Sequence, residues 1–396
     1  MMNRRTLFTS TAATAVSATP IAKALARDVA KADGLELDVE PRGSRGLFER
    51  LPSLNAESGL DFHTGYRVWM YKSLHRSALK QAFKLLRENG LKPTDDLPID
   101  DAVALFTSDP TIALDLHNWE RTQEIMWREI KAVYDKNADL YLEELASAEK
   151  QGPGSLELKP DIFIPDYAKY EIHIQPGGYV GDRFSGYIYY HGQNVVFPNG
   201  NYQDNLQVSW SRAMPRPADG KVQRVLDQGC SDGQFSMVLK RMFPDAEVWG
   251  DDIAAPMLRF AHMRTVEHNM NINYVQGLSE ESQFPDGYFD LVTNNLLVHE
   301  MPADKVRELA KEAFRVLRPG GVFYPLDSYT GDQPRNTALS KYDAWRNYRW
   351  NHEVWWMEYY DLDIAQAMRD AGFEVDENGP AGRTDTTRNV IGYKRA

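Results

Sequence analysis

Ten consecutive residues, Val225-Leu-Asp-Gln-Gly-Cys-Ser-Asp-Gly-Gln234, begin as an apolar run that ends in Asp227 and turn through Gly229 and Gly233 into a helical pattern. Phe235, Val238, Leu239 and Met242 follow at the spacing of one helix face. The glycines therefore occupy a strand-to-helix turn, where backbone N–H groups point outward at a ligand. A dinucleotide fingerprint needs glycines at the first, third and sixth places of such a turn. Those places hold Gly229, Ser231 and Gln234, so the pyrophosphate reading fails on spacing. It also fails on charge, because Asp227 and Asp232 would repel a phosphate and suit a ligand carrying an ammonium and a sulfonium. Cys230, the only cysteine, lies inside the turn. Its expected role is that of a small residue filling a tight bend, and a single cysteine supports neither an internal disulfide nor a cysteine-based metal site.

S-adenosylmethionine carries both of those cationic groups. Glu247-Val-Trp-Gly-Asp-Asp-Ile253 reads as a second strand ending in carboxylates, and Asp252 is assigned to the ribose hydroxyls. At these positions the chain resembles the class I S-adenosylmethionine-dependent methyltransferases, most closely the ubiquinone/menaquinone C-methyltransferase-like core, whose loop commonly reads Asp-Leu-Gly-Cys-Gly-Thr-Gly. Gly250-Asp-Asp-Ile253 with Met257-Leu258, Phe284-Pro-Asp-Gly-Tyr-Phe-Asp-Leu-Val292 and Arg315-Val-Leu-Arg-Pro-Gly-Gly321 are similar to that family's segments around strands two, four and five. The resemblance implies an α/β fold, a Rossmann-like doubly wound seven-stranded sheet, with S-adenosylmethionine as cofactor and a small-molecule methyl acceptor. It also implies cofactor contacts from Asp227, Gly229, Cys230, Ser231, Gly233, Asp252, Ile253, Ser279, Glu280 and Asn294. Two positions depart from the pattern. Ser231 replaces the middle glycine, and Leu278 stands where an Asp often meets the adenine amino group, leaving Ser279 or Glu280 for that contact. These departures keep open a second reading, a ligand-binding protein that retains the fold without catalysis.

Methyl transfer from a sulfonium is an in-line displacement, so alignment matters most and a base is needed only where the nucleophile must lose a proton. His299, in Leu296-Leu-Val-His-Glu-Met301, follows the fourth strand at the sheet end where open α/β sheets bind ligands. It reads as a base, or equally as a residue that orients a neighbour or caps a helix; Glu300 and Asp327 are the second candidates. The nine histidines show no ligand spacing, so no metal is expected. Trp345, Tyr348, Trp350, Trp355, Trp356, Tyr359 and Tyr360 crowd the interval after strand five. Either they pack as one helix in the core, or Trp350, Trp356 and Tyr360 join Tyr179 around an apolar or aromatic substrate.

These residues need a scaffold, and 396 residues at 42% hydrophobic content are enough for two domains. A net charge of −12 with no basic segment argues against a nucleic-acid partner. Residues 1–26, with Arg4, Arg5 and an Ala24-Leu25-Ala26 end, resemble a twin-arginine export signal too short and polar to span a membrane. That implies a periplasmic location, the alternative being cytoplasmic. Residues 27–60 read as an exposed connector, 61–204 as a helical accessory region and 205–396 as the methyltransferase domain. Within the accessory region helices are expected over 66–89, with Leu79, Phe83 and Leu86 on one face, and over 100–106. One long helix or two joined helices are expected over 116–150, where Asn137 interrupts the apolar stripe. Residues 170–192 read as a hairpin or ordered loop. That segment serves either as a lid bringing Gln175, Tyr179 or His173 to the ligand or as ordinary tyrosine packing.

Overall fold

A computed structural model describes residues 44–193, 200–328, 336–379 and 389–395. The stretch read as an export signal lies outside them. A short ladder pairs β1, Ser44–Arg45, with β2, Phe48–Glu49. The main sheet comprises β3 (Ser155–Glu157), β4 (Arg224–Gln228), β5 (Glu247–Asp252), β6 (Ile272–Gln276), β7 (Phe289–Asn295), β8 (Leu317–Leu326), β9 (Glu374–Asp376) and β10 (Ile391–Tyr393). Their spatial order is β3-β6-β5-β4-β7-β8-β10-β9, parallel from β3 through β8, with β10 antiparallel to both β8 and β9. The central strands are buried on both faces, which is why Val225-Leu226 and Leu291-Val292 read as continuous apolar runs instead of alternating ones. Seven of the strands make the expected doubly wound sheet. The eighth, β3, comes from upstream and extends the edge by pairing Leu156 with Tyr274.

The chain leaves β4 toward β5 on one side and returns to β7 on the other, so the winding reverses between β4 and β7. A crevice must open there at the carboxyl ends of the strands. That is where the glycine turn after Gln228 and the Asn295-Leu296 segment meet.

The upstream helices depart from the expected boundaries in instructive ways. Ser53 accepts a hydrogen bond from the Ala56 amide and starts a helix at Leu54–Trp69, inside the stretch read as connector. That helix runs through a π turn, Met70–His75, into Arg76–Glu88. There the buried stripe is Ala78, Ala82 and Leu86, while Leu79 is 41% exposed, because small alanines allow closer packing than the bulkier face. The short helix is Ile99–Thr107. Pro110–Lys136 and Ala138–Ala148 meet at Asn137, whose side chain donates to the Val133 carbonyl and competes with the helical ladder.

Residues 170–192 form no hairpin. A 3-10 turn at Ile172–Ile174 leads to a helix at Ser185–His191, buried against Tyr134 and Phe260. Close packing decides this: a Cβ on Gly186 would lie 2.3 Å from the Phe260 side chain, so the glycine lets this helix sit on Ala255–Glu267. The aromatic interval is also two pieces, Ala338–Trp350 and Trp356–Asp361, since Asn351 caps the first and His352 takes a left-handed φ of 53°. The single-helix reading of that interval is corrected accordingly.

Candidate active site

The glycine turn is held to the end of β5 by its own amides. Gly229 N donates to Asp251 Oδ1 at 3.1 Å and to Ser279 Oγ at 2.9 Å; Cys230 N donates to the Asp251 carbonyl and Ser231 N to Asp252 Oδ2, both at 2.8 Å. Gly229 and Gly233 adopt φ values of 59° and 74°, and Ser231, where the family has glycine, adopts 52°. A left-handed serine costs roughly 1 kcal/mol or somewhat more. Ser231→Gly is therefore expected to stabilise the fold by up to about 1 kcal/mol, since the relief of strain exceeds the added freedom of the unfolded chain. Denaturant unfolding checks this, and a destabilised variant would mean that the Ser231 side chain itself supports the turn.

Two cavities flank the turn and share Tyr189, Gly229, Ser231, Asn295 and Leu296 on their walls. Their cavity volumes are about 150 and 100 Å³, and both open to solvent. Asp227, Cys230, Asp232 and Gln234 line the first; Asp252, Ile253, Leu278, Ser279, Glu280 and Glu300 line the second. Of the expected cofactor contacts, Gly233 and Asn294 line neither. Asn294 is fully buried, and no hydrogen bond reaches its amide among the described residues, whereas Asn295 next to it faces both cavities, as alternation along β7 requires. Sequence reasoning missed Asn295, Tyr189, Gln207 and Gln234; the only sequence signal was the polar pair at the end of a buried strand.

The charge on these walls is unusual. Burial pushes the Asp227 carboxyl up to about 8, against a hydrogen bond from Ser236 and assisted by the charges of Asp251, Asp252 and Asp232. Burial likewise raises Asp232 and Asp251 to about 7 and Asp252 to about 6. One oxygen each of Asp227, Asp232 and Asp251 is buried without a hydrogen-bond partner among the described residues. Three of these carboxyls line the cavities and Asp251 lies behind them on the Gly229 amide and Ser279, an acidic set with few donors that suits a cation. Burial also pushes the Cys230 thiol well up, so it stays protonated, and its side chain fills the space above Gly250.

His299 lines neither cavity. Its Nδ1 lies 2.7 Å from Asp327 Oδ1, and Asp327 Oδ2 accepts from the Val298 and His299 amides. Burial opposes a charge on the imidazole, yet the adjacent Asp327 carboxylate, with Glu353 and Glu300 beyond it, holds it at about 9. It is therefore cationic at neutral pH and touches Glu300, not the cleft. Glu300 does face the second cavity; its Oε1 accepts from Tyr179 Oη at 3.0 Å and lies 3.3 Å from His173 Nε2 and 3.6 Å from His299 Nε2.

Tyr179 lines the cavity as well, joined by Tyr167 and Tyr189. Gln175 does not, its amide being used on the Gly178 carbonyl. Trp350, Trp356 and Tyr360 line neither cavity. Trp356 packs edge-on to His299 with ring centroids 4.9 Å apart, Tyr360 Oη meets Ser340 Oγ at 3.1 Å, and the Arg349 guanidinium covers Trp350. Neither cavity wall supports the substrate reading of these three rings, and Trp356 and Tyr360 belong to the core cluster behind the turn after β7. The fold also brings His173, Glu300 and Glu353 together, with ligand-capable atoms within 4.8 Å of one another. No spacing in the sequence shows this group.

A methyltransferase domain model matches residues 225–321. Over 153 residues the chain is 31% identical to an uncharacterized methyltransferase of Synechocystis sp., covering 39% of this chain and 68% of that protein. The chain belongs to the S-adenosylmethionine-dependent methyltransferases. It is also 36% identical over 160 residues to a fatty-acid O-methyltransferase of Mycolicibacterium smegmatis, covering 36% of this chain and 54% of that one. To a ubiquinone/menaquinone biosynthesis C-methyltransferase of Proteus mirabilis it is 35% identical over 127 residues, covering 31% and 49%. This methyltransferase thus spans about two thirds of the first relative and about half of the other two. Its cofactor is S-adenosylmethionine, and its acidic, glycine-turned cleft suits that ligand. No described helix is long and apolar enough to cross a membrane.

Proposed function

We propose that this methyltransferase lays S-adenosylmethionine across the glycine turn and transfers its methyl group to the oxygen of a small molecule held against Glu300. The observation that carries the cofactor pose is the set of carboxylates on the two cavity walls, Asp227 and Asp232 on one and Asp252 on the other, with Asp251 buried behind them. The ammonium lies on the Asp227 and Asp232 side. The ribose lies on Asp252, and adenine lies between Ile253 and Leu278, with Ser279 or Glu280 as polar partner. The acceptor sits by Tyr179 and Tyr189, where Glu300 has a buried Oε2 with no partner among the described residues. The Glu300 carboxylate, which lines that cavity, receives the acceptor's O–H. An oxygen lone pair attacks the methyl carbon, the C–S bonding pair returns to sulfur as S-adenosylhomocysteine departs, and the acceptor's proton leaves through Glu300 to solvent. The methyltransferase relatives favour this over a non-catalytic binding protein.

Incubating the full chain with methyl-labelled donor and panels of small carboxylic acids, alcohols and phenols tests it. Release of S-adenosylhomocysteine with labelled ester or ether is expected; label on carbon or nitrogen instead would overturn the oxygen assignment.

The raised carboxyls also set a pH dependence. A carboxyl whose folded value is raised from 3.8 to between about 6 and 8 stabilises the ligand-free protein in its protonated form, and that contribution fades as pH rises through this window. A cationic ligand favours the ionised form, so binding expels protons. Cofactor affinity is expected to rise with pH between about 6 and 8, by up to about tenfold per unit for each proton released. Calorimetry in two buffers of different ionisation enthalpy measures the release, and zero net release at neutral pH would remove these carboxyls from the site.

A further inference from the structure

His173, Glu300 and Glu353 come from three separate segments: the 3-10 turn at Ile172–Ile174, the turn after β7 and the break after Trp350. The His173 ring bridges the two carboxylates, with Nε2 3.3 Å from Glu300 Oε1 and Nδ1 3.0 Å from Glu353 Oε1. The other donors crowd the same two oxygens. Tyr179 Oη donates to Glu300 Oε1 at 3.0 Å, and Asn351 Nδ2 donates to Glu353 Oε1 at 3.2 Å. The orientation of Asn351 follows from Arg67, which can only donate: it takes Gln123 Oε1 at 2.7 Å, which turns the Gln123 amide onto Asn351 Oδ1 and the Asn351 amide toward Glu353.

The second oxygen of each carboxylate is left bare. Glu300 Oε2 and Glu353 Oε2 are buried with no hydrogen-bond partner among the described residues, and Glu353 is only 2% exposed. A hydrogen-bonded ion-pair network explains the occupied pair of oxygens but not the bare pair. A buried carboxylate, a half-buried one and an imidazole with converging ligand atoms are the donor set of a first-row divalent ion. The surroundings match such a centre as well, since His299, backed by the fully buried Asp327, presents its Nε2 to Glu300 and so fixes that carboxylate from behind.

We propose that His173, Glu300 and Glu353 bind one divalent ion of the manganese-to-zinc series in the wall of the cleft. Three protein ligands leave coordination positions open, and Glu300 faces the cavity, so the open side is turned to the acceptor. When the acceptor is bound, its oxygen takes one of those open positions beside Glu300, which lowers the cost of passing its proton to that carboxylate. That last role rests on the oxygen-acceptor reading above; the binding of the ion does not.

The test uses the full chain, freed of metal with a chelator and titrated with Co²⁺ alone while visible absorption and bound metal are followed. S-adenosylmethionine affinity is measured in the same samples. Saturation at a single ion per chain is expected, with Glu353→Gln and His173→Ala each weakening Co²⁺ binding on the order of tenfold or more. Cofactor affinity in both variants is expected to stay within a few-fold. A wild-type chain that binds S-adenosylmethionine but takes up no Co²⁺ overturns the proposal, as does uptake that survives unchanged in both variants. Should a variant fail to fold, the wild-type titration still decides. A chain that takes up the ion but transfers no methyl group to oxygen would refute the acceptor assignment while leaving the metal site standing.

Discussion

Trp356→Ala is expected to destabilise the methyltransferase by about 3–5 kcal/mol while changing cofactor affinity little. The side chain is 8% exposed and belongs to the core cluster that includes Val298 and Met301 from the turn after β7 and Tyr359 from its own helix. Its ring meets His299 at 4.9 Å and Tyr359 at 5.6 Å, so truncation leaves a void behind the Asp327–His299 pair that the surrounding helices cannot close. A fall of several degrees in melting temperature follows for a domain of this size. Tyr179→Phe supplies the contrast, because it removes the hydroxyl that donates to Glu300 on the cavity wall but takes almost no volume from the core. Thermal unfolding and cofactor titration of both variants separate the roles. A Trp356→Ala protein of unchanged stability and raised Michaelis constant would return this ring to the substrate pocket.

Gly229→Val is expected to weaken S-adenosylmethionine binding on the order of a hundredfold or more, with the secondary structure retained. The backbone at this position has φ 59°, where a β-branched residue is strained by roughly 1–3 kcal/mol. A Cβ would also lie 2.5 Å from Leu297 Cδ1 and 2.8 Å from Cδ2. The end of a leucine side chain can swing aside, but Leu297 lines the second cavity and Gly229 lines both, so the displaced volume enters ligand space. The cost therefore falls on binding more than on folding. Circular dichroism with calorimetric titration checks both halves of the statement, and near-normal affinity in a folded variant would put the cofactor elsewhere.

Much of the sheet could be read directly. The apolar run into Asp227, the glycine turn and the amphipathic stripe after it are local patterns, and local patterns survive folding: β4, its turn and the helix Gln234–Met242 stand where spacing puts them. The structure decides between the one long helix and the two joined helices left open over 116–150: the chain breaks at Asn137, whose short polar side chain competes with its own backbone. The helix faces were harder. The stripe of Leu79, Phe83 and Leu86 follows bulk, whereas the packed helix buries Ala78, Ala82 and Leu86, which allow close approach.

What the sequence by itself determined is the chemistry of the cofactor loop: glycines where the backbone must turn, carboxylates that exclude phosphate and suit a cation, and strand-end positions for the acidic residues. Residue type and short spacing carry that information. Which of Asp251 and Asp252 faces the cavity, which of Asn294 and Asn295 does, and whether the ring-rich interval meets ligand or core were decided only by tertiary structure. So was the meeting of His173 with Glu300 and Glu353. Adjacent residues on a strand point to opposite faces, and residues more than a hundred positions apart become neighbours only through the path of the whole chain.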